Sequence, residues 1–349
     1  MERNKVYAIV FFIQCVYAGM ALFSKAAISK GMNPYVFVVY RQAFATTALA
    51  PFALLVERNK SCPMSFTLLF KIFLVSLFGI TLSLNLYYYA MTYTSATYAA
   101  ATTNMIPSIT FIIAFIFGLE TINIKKWNGV AKIMGTVMGV CGALVFAFVK
   151  GPTLNFFKTN QNIKNNNNNN DINSKGDHEW VKGSLLMLLA NTAWSFWLVI
   201  QVPIVKQYPM KLRLTALQCL LSCLQSTVFA VAMVRDVSDW KIGWDIHLLS
   251  VAYCGVVVTG ITYWLQVWVI EKRGPVFTAI FTPLALLLTA IFSALLWNEI
   301  FHLGSVCGVL LLVGGLYGVL WGKSKEIKLE TIQQKTEETK ELESITTTN

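Results

Sequence analysis

The sequence predicts an all-α polytopic membrane protein with ten transmembrane helices arranged as two inverted five-helix repeats. Three observations carry that prediction. The 349 residues are 56% hydrophobic and only 13% charged, with a mean hydropathy of +0.57, whereas soluble domains carry about a quarter charged residues. The apolar residues fall in ten runs, each near the ~20 residues a helix needs to cross a ~30 Å hydrocarbon core. The two halves of the chain also align with each other in one register.

Taken in order, Met1–Lys5 is a short basic leader, and the apolar run 6–28 is too long for a signal-peptide core and lacks a convincing cleavage site, so it is expected to stay as the first span. The remaining spans read as 34–56, 68–91, 97–119, 129–149, 183–205, 214–234, 247–270, 276–297 and 302–322. Residues 150–182 contain the run Asn165–Asn170 and then Asp171. Such polar sequence has little apolar surface to bury and reads as a flexible linker. The expected organisation is a first repeat over 1–149, the linker over 150–182, a second repeat over 183–322 and a polar, solvated tail over 323–349.

At an offset of 176, Lys30 meets Lys206, Gln42 meets Gln218, Gly79 meets Gly255, Tyr87 meets Tyr263, Thr102 meets Thr278 and Pro107 meets Pro283. After three inserted residues the offset becomes 179, and Glu120 meets Glu299, Gly129 meets Gly308, Gly135 meets Gly314 and Gly139 meets Gly318. Five spans per copy is an odd number, so the copies lie in the membrane with opposite orientation, a design common among secondary carriers. Short segments rich in Lys and Arg (Arg3, Lys5, Arg58, Lys60, Lys125, Lys126, Lys206, Lys211, Arg213, Lys272, Arg273, Lys323 and Lys325) place both termini in the cytosol and the Asn-rich linker outside it. The sequon Asn59-Lys60-Ser61 then falls on the cytosolic side.

The stretch Thr92–Glu120 has two faces when wound as an α-helix. Ala96, Ala100, Thr103, Asn104, Pro107 and Thr110 share a small, polar arc, and Tyr98, Met105, Ile109, Ile112 and Ile116 a lipid-facing one. Pro107 has no N–H, so the carbonyl of Thr103 loses its helical partner. Freed backbone in a membrane is tolerated where protein or water satisfies it, so this face looks into a solute pathway or packs as a kink against a neighbour.

Other spans show the same pattern: Gln14, Tyr17, Ala18 and Ala21 in the first; Asn191, Trp194, Ser195 and Gln201 in the sixth; Gly255, Thr259, Thr262, Tyr263 and Gln266 in the eighth. With Tyr87, Thr282 and Arg41 these residues could converge on a cavity of amides, hydroxyls and rings suited to a small zwitterionic or neutral solute. The alternative for each is an interhelical hydrogen bond. Arg41 lies about two turns into its span, where it either captures a substrate carboxylate or snorkels to the outer interface; Lys25, near the outer end of the first span, is expected to snorkel. No Asp or Glu lies near a span centre, which favours a facilitator driven by the solute gradient over a proton-driven carrier.

Several classes are excluded or disfavoured. The net charge of +11 is dispersed in short loops rather than gathered in a basic domain, which argues against a nucleic-acid partner. The seven cysteines are scattered, and the three histidines lie at loops or span ends, so neither a disulfide framework, a metal site nor a cofactor is expected. HExxH, GxSxG and Walker motifs are missing, which speaks against an enzyme. A membrane receptor or scaffold does not need an inverted repeat. Glycines at Gly135/Gly139, Gly304/Gly308 and Gly314/Gly318 let helices approach closely, either within one molecule or across a homodimer.

The strings NLYYYAMTYTSATYAAATTNMIPSITFIIAF, EKRGPVFTAIFTPL and GLYGVLWGK, within residues 6–323, resemble the plant nodulin-like, "walls are thin"-related (UMAMIT) branch of the drug/metabolite transporter superfamily. That branch is built from two EamA repeats. The resemblance implies ten spans, cytoplasmic termini and bidirectional movement of amino acids across the plasma membrane or, second, the vacuolar membrane, with auxin or a related organic acid as the alternative cargo. Leu84-Asn85, Thr282-Pro283 and Asn298-Glu299 depart from the branch's usual Gln-Asn, Asn-Pro and Gly-Glu, which bears on substrate choice rather than fold.

Overall fold

A computed structural model of the chain describes residues 2–57, 64–95, 98–99, 102–119, 127–148, 153–154, 170–279, 281–297, 301–302, 307–308, 310–311, 313–315, 317–319, 321–322 and 325. The tail other than Lys325, most of the Asn run, the sequon, Glu120, Glu299, Gly304 and the loop lysines Lys125 and Lys126 lie outside the described residues. Apart from a two-residue antiparallel pairing of β1 (Thr153–Leu154) with β2 (Phe301–His302), the described elements are helical.

Among the described residues, six helices are long and apolar enough to cross a membrane: Lys5–Ser29, Pro34–Val56, Phe66–Met91, Glu179–Gln207, Lys211–Met233 and Ile246–Arg273. They belong to α1 (Glu2–Ser29), α2 (Pro34–Val56), α3 (Phe66–Val75) continued by α4 (Leu82–Met91), and, after α5 (Ile106–Ile116) and α6 (Trp127–Phe148), to α7 (Asn170–Gln207), α8 (Lys211–Met233), and α9 (Ile246–Ala252) continued by α10 (Tyr263–Arg273). The fourth and ninth spans are shorter and broken. A 3₁₀ turn (Thr103–Met105) precedes α5, and α11 (Pro275–Ala279) precedes α12 (Thr282–Trp297). Helical residues between 307 and 322 supply the tenth. His302, the first residue expected in that span, instead pairs with β1. α7 begins earlier than expected, at Asn170. Along it, Trp180 packs 5.6 Å from the Tyr98 ring.

Helix starts follow ordinary capping. The Asn33 side chain accepts from Tyr35 N–H at 3.1 Å with Pro34 opening α2, and Asp245 accepts from His247 N–H at 3.0 Å ahead of α9. Glu57, just after α2, caps α8 instead: its carboxylate accepts from the Arg213 and Leu212 N–H groups at 2.9 and 3.4 Å. Lys211 pairs with Glu271, so the start of α8 is also tied to the end of α10.

Register-matched π-helical turns interrupt the third and eighth spans at Ser76–Thr81 and Tyr253–Thr262. Each holds one of the aligned glycines at a point of close approach. A Cβ on Gly79 would lie 2.7 Å from Trp197 Cβ, and one on Gly255 would lie 2.7 Å from the Arg41 carbonyl oxygen. Polar side chains bond across the repeats, Gln42 donating to Ser222 at 3.1 Å and Thr81 to Ser222 at 2.9 Å, and within the second, Gln218 donating to Gln201 at 2.9 Å. In the seam between α6 and the tenth span, a Cβ on Gly315 would lie 2.5 Å from Gly139 N, so these glycines join two spans of one molecule.

Candidate functional site

The broken fourth and ninth spans, with α1, α2, α4, α7 and α10, enclose a cavity of about 780 Å³ including its opening. Of the residues singled out from sequence, Gln14, Tyr17, Arg41, Tyr87, Thr103, Trp194, Tyr263, Gln266 and Thr282 line it. Asn104, Pro107, Gln201 and Thr259 do not. Each exception has a physical reason. Asn104 and Pro107 are buried against the protein, and the Thr103 carbonyl is taken by Ile106 N–H in the 3₁₀ turn rather than left open to the cavity. Gln201 is consumed by its pairing with Gln218. Thr259 stands behind Arg41 and accepts from its Nε at 2.6 Å.

Among the described residues, Arg41 is the charged residue of the lining. It is 1% exposed and does not snorkel. Its guanidinium donates to Thr259, to the Tyr88 hydroxyl and, at 3.4 Å, to the Tyr263 hydroxyl, and it lies 5.5 Å from the centre of the Tyr88 ring. All of these partners are neutral, and among the described residues no carboxylate pairs with it. A buried guanidinium held only by hydroxyls and a ring keeps a strong attraction for an incoming carboxylate, which it can grip through two parallel N–H bonds. Among the described residues of the lining none is Asp, Glu or His.

The rest of the wall is aromatic and polar. Trp194 lies 5.1 Å from Tyr263 and stacks 4.8 Å from Trp197, giving one apolar side. Tyr17 donates to Gln266 Oε1 at 2.7 Å and so fixes α1 to α10. Ser83 donates to the Ala190 carbonyl and Asn191 to the Thr102 carbonyl, both at 2.9 Å, which holds α7 against α4 and the fourth span.

Lys25 differs from expectation. Its ammonium donates to the Met91 carbonyl at 2.9 Å and to that of Thr94, closing the carbonyl end of α4 rather than reaching for the interface. Tyr98, expected to face lipid, is buried and donates to Ser184 at 2.6 Å. Sequence reasoning also passed over Lys132, which is 1% exposed on α6 with its ammonium 6.0 Å from the centre of the Phe111 ring, outside the cavity lining. Thr289 and Ser83 of the lining were missed as well. For Thr289 a signal was present: Thr278, Thr282, Ala285 and Thr289 are spaced four, three and four apart, one face of a helix.

The profile of the EamA-like transporter family matches residues 5–148 and again 181–321. The chain is 56% identical over 345 residues to the WAT1-related protein At1g43650 of Arabidopsis thaliana, covering 99% of each. It is 50% identical to the WAT1-related protein At5g64700 of the same plant, over 94% of this chain and 92% of the other. One solved crystal structure superposes with a TM-score of 0.60 at 17% identity, over 91% of this chain and 99% of that one, a likeness of fold alone.

Proposed function

Because the chain belongs to the EamA-like transporter family, and so is a membrane transporter rather than an enzyme, we propose that its cavity carries small zwitterionic solutes, amino acids above all. The observation that carries this reading is Arg41, buried, facing the cavity and held only by neutral partners. A solute carboxylate would complete it. The hydroxyls and amides around it suit an ammonium, and the Trp194–Tyr263 wall suits an apolar side chain. That same wall favours a second reading, an aromatic monocarboxylate such as auxin.

Transport follows the solute gradient in either direction, since the described lining offers no carboxylate or imidazole to carry a coupling proton. Both termini face the cytosol and residues 150–182 the opposite side, a reading supported by the Lys and Arg bias and the odd-numbered repeat. The plasma membrane is the expected location, with the vacuolar membrane second. A homodimer would need a face other than the glycine seam, which already joins two spans of one molecule. Uptake and efflux of a labelled amino-acid panel, with indole-3-acetate alongside, in oocytes expressing the chain tests the reading. Saturable flux of one or more amino acids in both directions is expected. Flux of indole-3-acetate alone would move the assignment to the second reading, and flux of neither would overturn both.

A further inference from the structure

Most polar groups of the cavity wall are already engaged within the protein. Tyr17 bonds Gln266, Thr282 donates to the Ala279 carbonyl at 2.6 Å, and Thr278 donates to that of Gly274 at 3.2 Å. Two groups stand apart. Gln14 is 2% exposed and Thr289 0%, both line the cavity, and neither Gln14 Oε1 nor Thr289 Oγ1 has a hydrogen-bond partner among the described residues. A buried oxygen left without a donor costs free energy that a bound donor recovers.

Gln14 and Thr289 stand on α1 and α12, which pack against each other. The Tyr7 ring sits 5.7 Å from Phe277 and 6.0 Å from Phe281, which sets the register of α1 against the ninth span. About two turns further along each helix come Gln14 and Thr289, where both helices line the cavity. The lining is thus chemically divided: the Arg41 guanidinium supplies donors, and this pair supplies acceptors.

We propose that Gln14 Oε1 and Thr289 Oγ1 form an ammonium subsite that makes the carrier select α-amino acids over the corresponding carboxylic acids without an amino group. The proposal rests on the reading of Arg41 as the carboxylate subsite and adds the opposite pole. An ammonium brings three N–H donors on one atom and no acceptor, which fits two orphan oxygens in one cavity wall. A monocarboxylate satisfies Arg41 and leaves both oxygens bare. Selectivity of this kind comes from the penalty on the ligand that lacks the group.

The test measures carrier-dependent uptake of labelled phenylalanine against 3-phenylpropionate, and of leucine against 4-methylpentanoate, in oocytes expressing the parent, Gln14→Met or Thr289→Val. Because each ratio is taken within one variant, differences in the amount of carrier at the surface cancel. The parent is expected to prefer the amino acids, and each substitution to lower the amino-acid to desamino-acid ratio about tenfold, chiefly through loss of amino-acid flux. An unchanged ratio overturns the subsite. Should Gln14→Met fail to reach the surface, Thr289→Val, which exchanges a hydroxyl for a methyl of similar size, decides alone. A parent that carries the desamino acids and not the amino acids also overturns the subsite but leaves Arg41 as a carboxylate site. A parent that carries neither class sinks the reading of Arg41 itself.

Discussion

Thr103 lines the cavity while Asn104, beside it, is buried outside the lining. As neighbours they stand about 100° apart even on an α-helical wheel, and the 3₁₀ turn that holds them widens this to about 120°, so one faces the cavity and the other the protein. Their substitutions should therefore differ in kind. Thr103→Val is expected to shift the half-saturation concentration severalfold at an unchanged surface level. Asn104→Leu removes a buried amide from its surroundings at a cost of about 1–3 kcal/mol, so it should lower the amount of carrier at the surface while the surviving carrier keeps its half-saturation. Uptake kinetics with surface biotinylation separate the two. The same contrast shows what residue-scale reading can reach. Gln14, Tyr17, Trp194, Tyr263 and Gln266 were legible because they stand on regular helical stripes. Lys25 was not, because its two carbonyl partners lie far along the chain at the end of α4.

At the scale of elements, spans were legible wherever an apolar run is continuous, and their interruptions were not. Nothing in the hydropathy of Ser76–Thr81 or Tyr253–Thr262 marks a π-helical turn; only the alignment of Gly79 with Gly255 pointed to something shared there. The turn at Tyr253–Thr262 has a direct tie to the site. It brings Gly255 against the backbone of Arg41 and Thr259 against its guanidinium. Gly255→Ala would put a methyl 2.5 Å from Phe44 Cβ, forcing α2 away and Arg41 with it. The expected cost is about 1–3 kcal/mol of overpacking, read as a lowered melting temperature of the detergent-purified protein together with reduced flux. Gly243→Ala meets nothing nearer than 3.7 Å and should change neither.

For the whole molecule, the inverted repeat was legible because rare Pro, Gly and Glu residues keep one register, and the two family matches, 5–148 and 181–321, fall on the two copies. The copies are not equivalent at the site. Arg41 aligns with Leu217 and Gln14 with Ala190, so the cavity's charge and one of its orphan oxygens come from the first copy alone. Cysteines introduced singly into the Asn run should react with an impermeant maleimide added outside intact cells; labelling from the cytosolic side only would reverse the topology. Because the described lining lacks Asp, Glu and His, flux should persist when a protonophore collapses the proton gradient under voltage clamp. Its abolition would require a titrating group elsewhere in the pathway.

The most direct test of the account is amino-acid uptake per carrier molecule at the oocyte surface for the parent, Arg41→Lys and Arg41→Leu. Lysine keeps the charge and loses the two-pronged grip, and leucine loses both. The account predicts saturable uptake by the parent, weaker uptake by Arg41→Lys, and a fall of roughly tenfold to hundredfold for Arg41→Leu, the range expected for a charge-assisted hydrogen-bonded pair. Equal uptake per molecule by all three would contradict it.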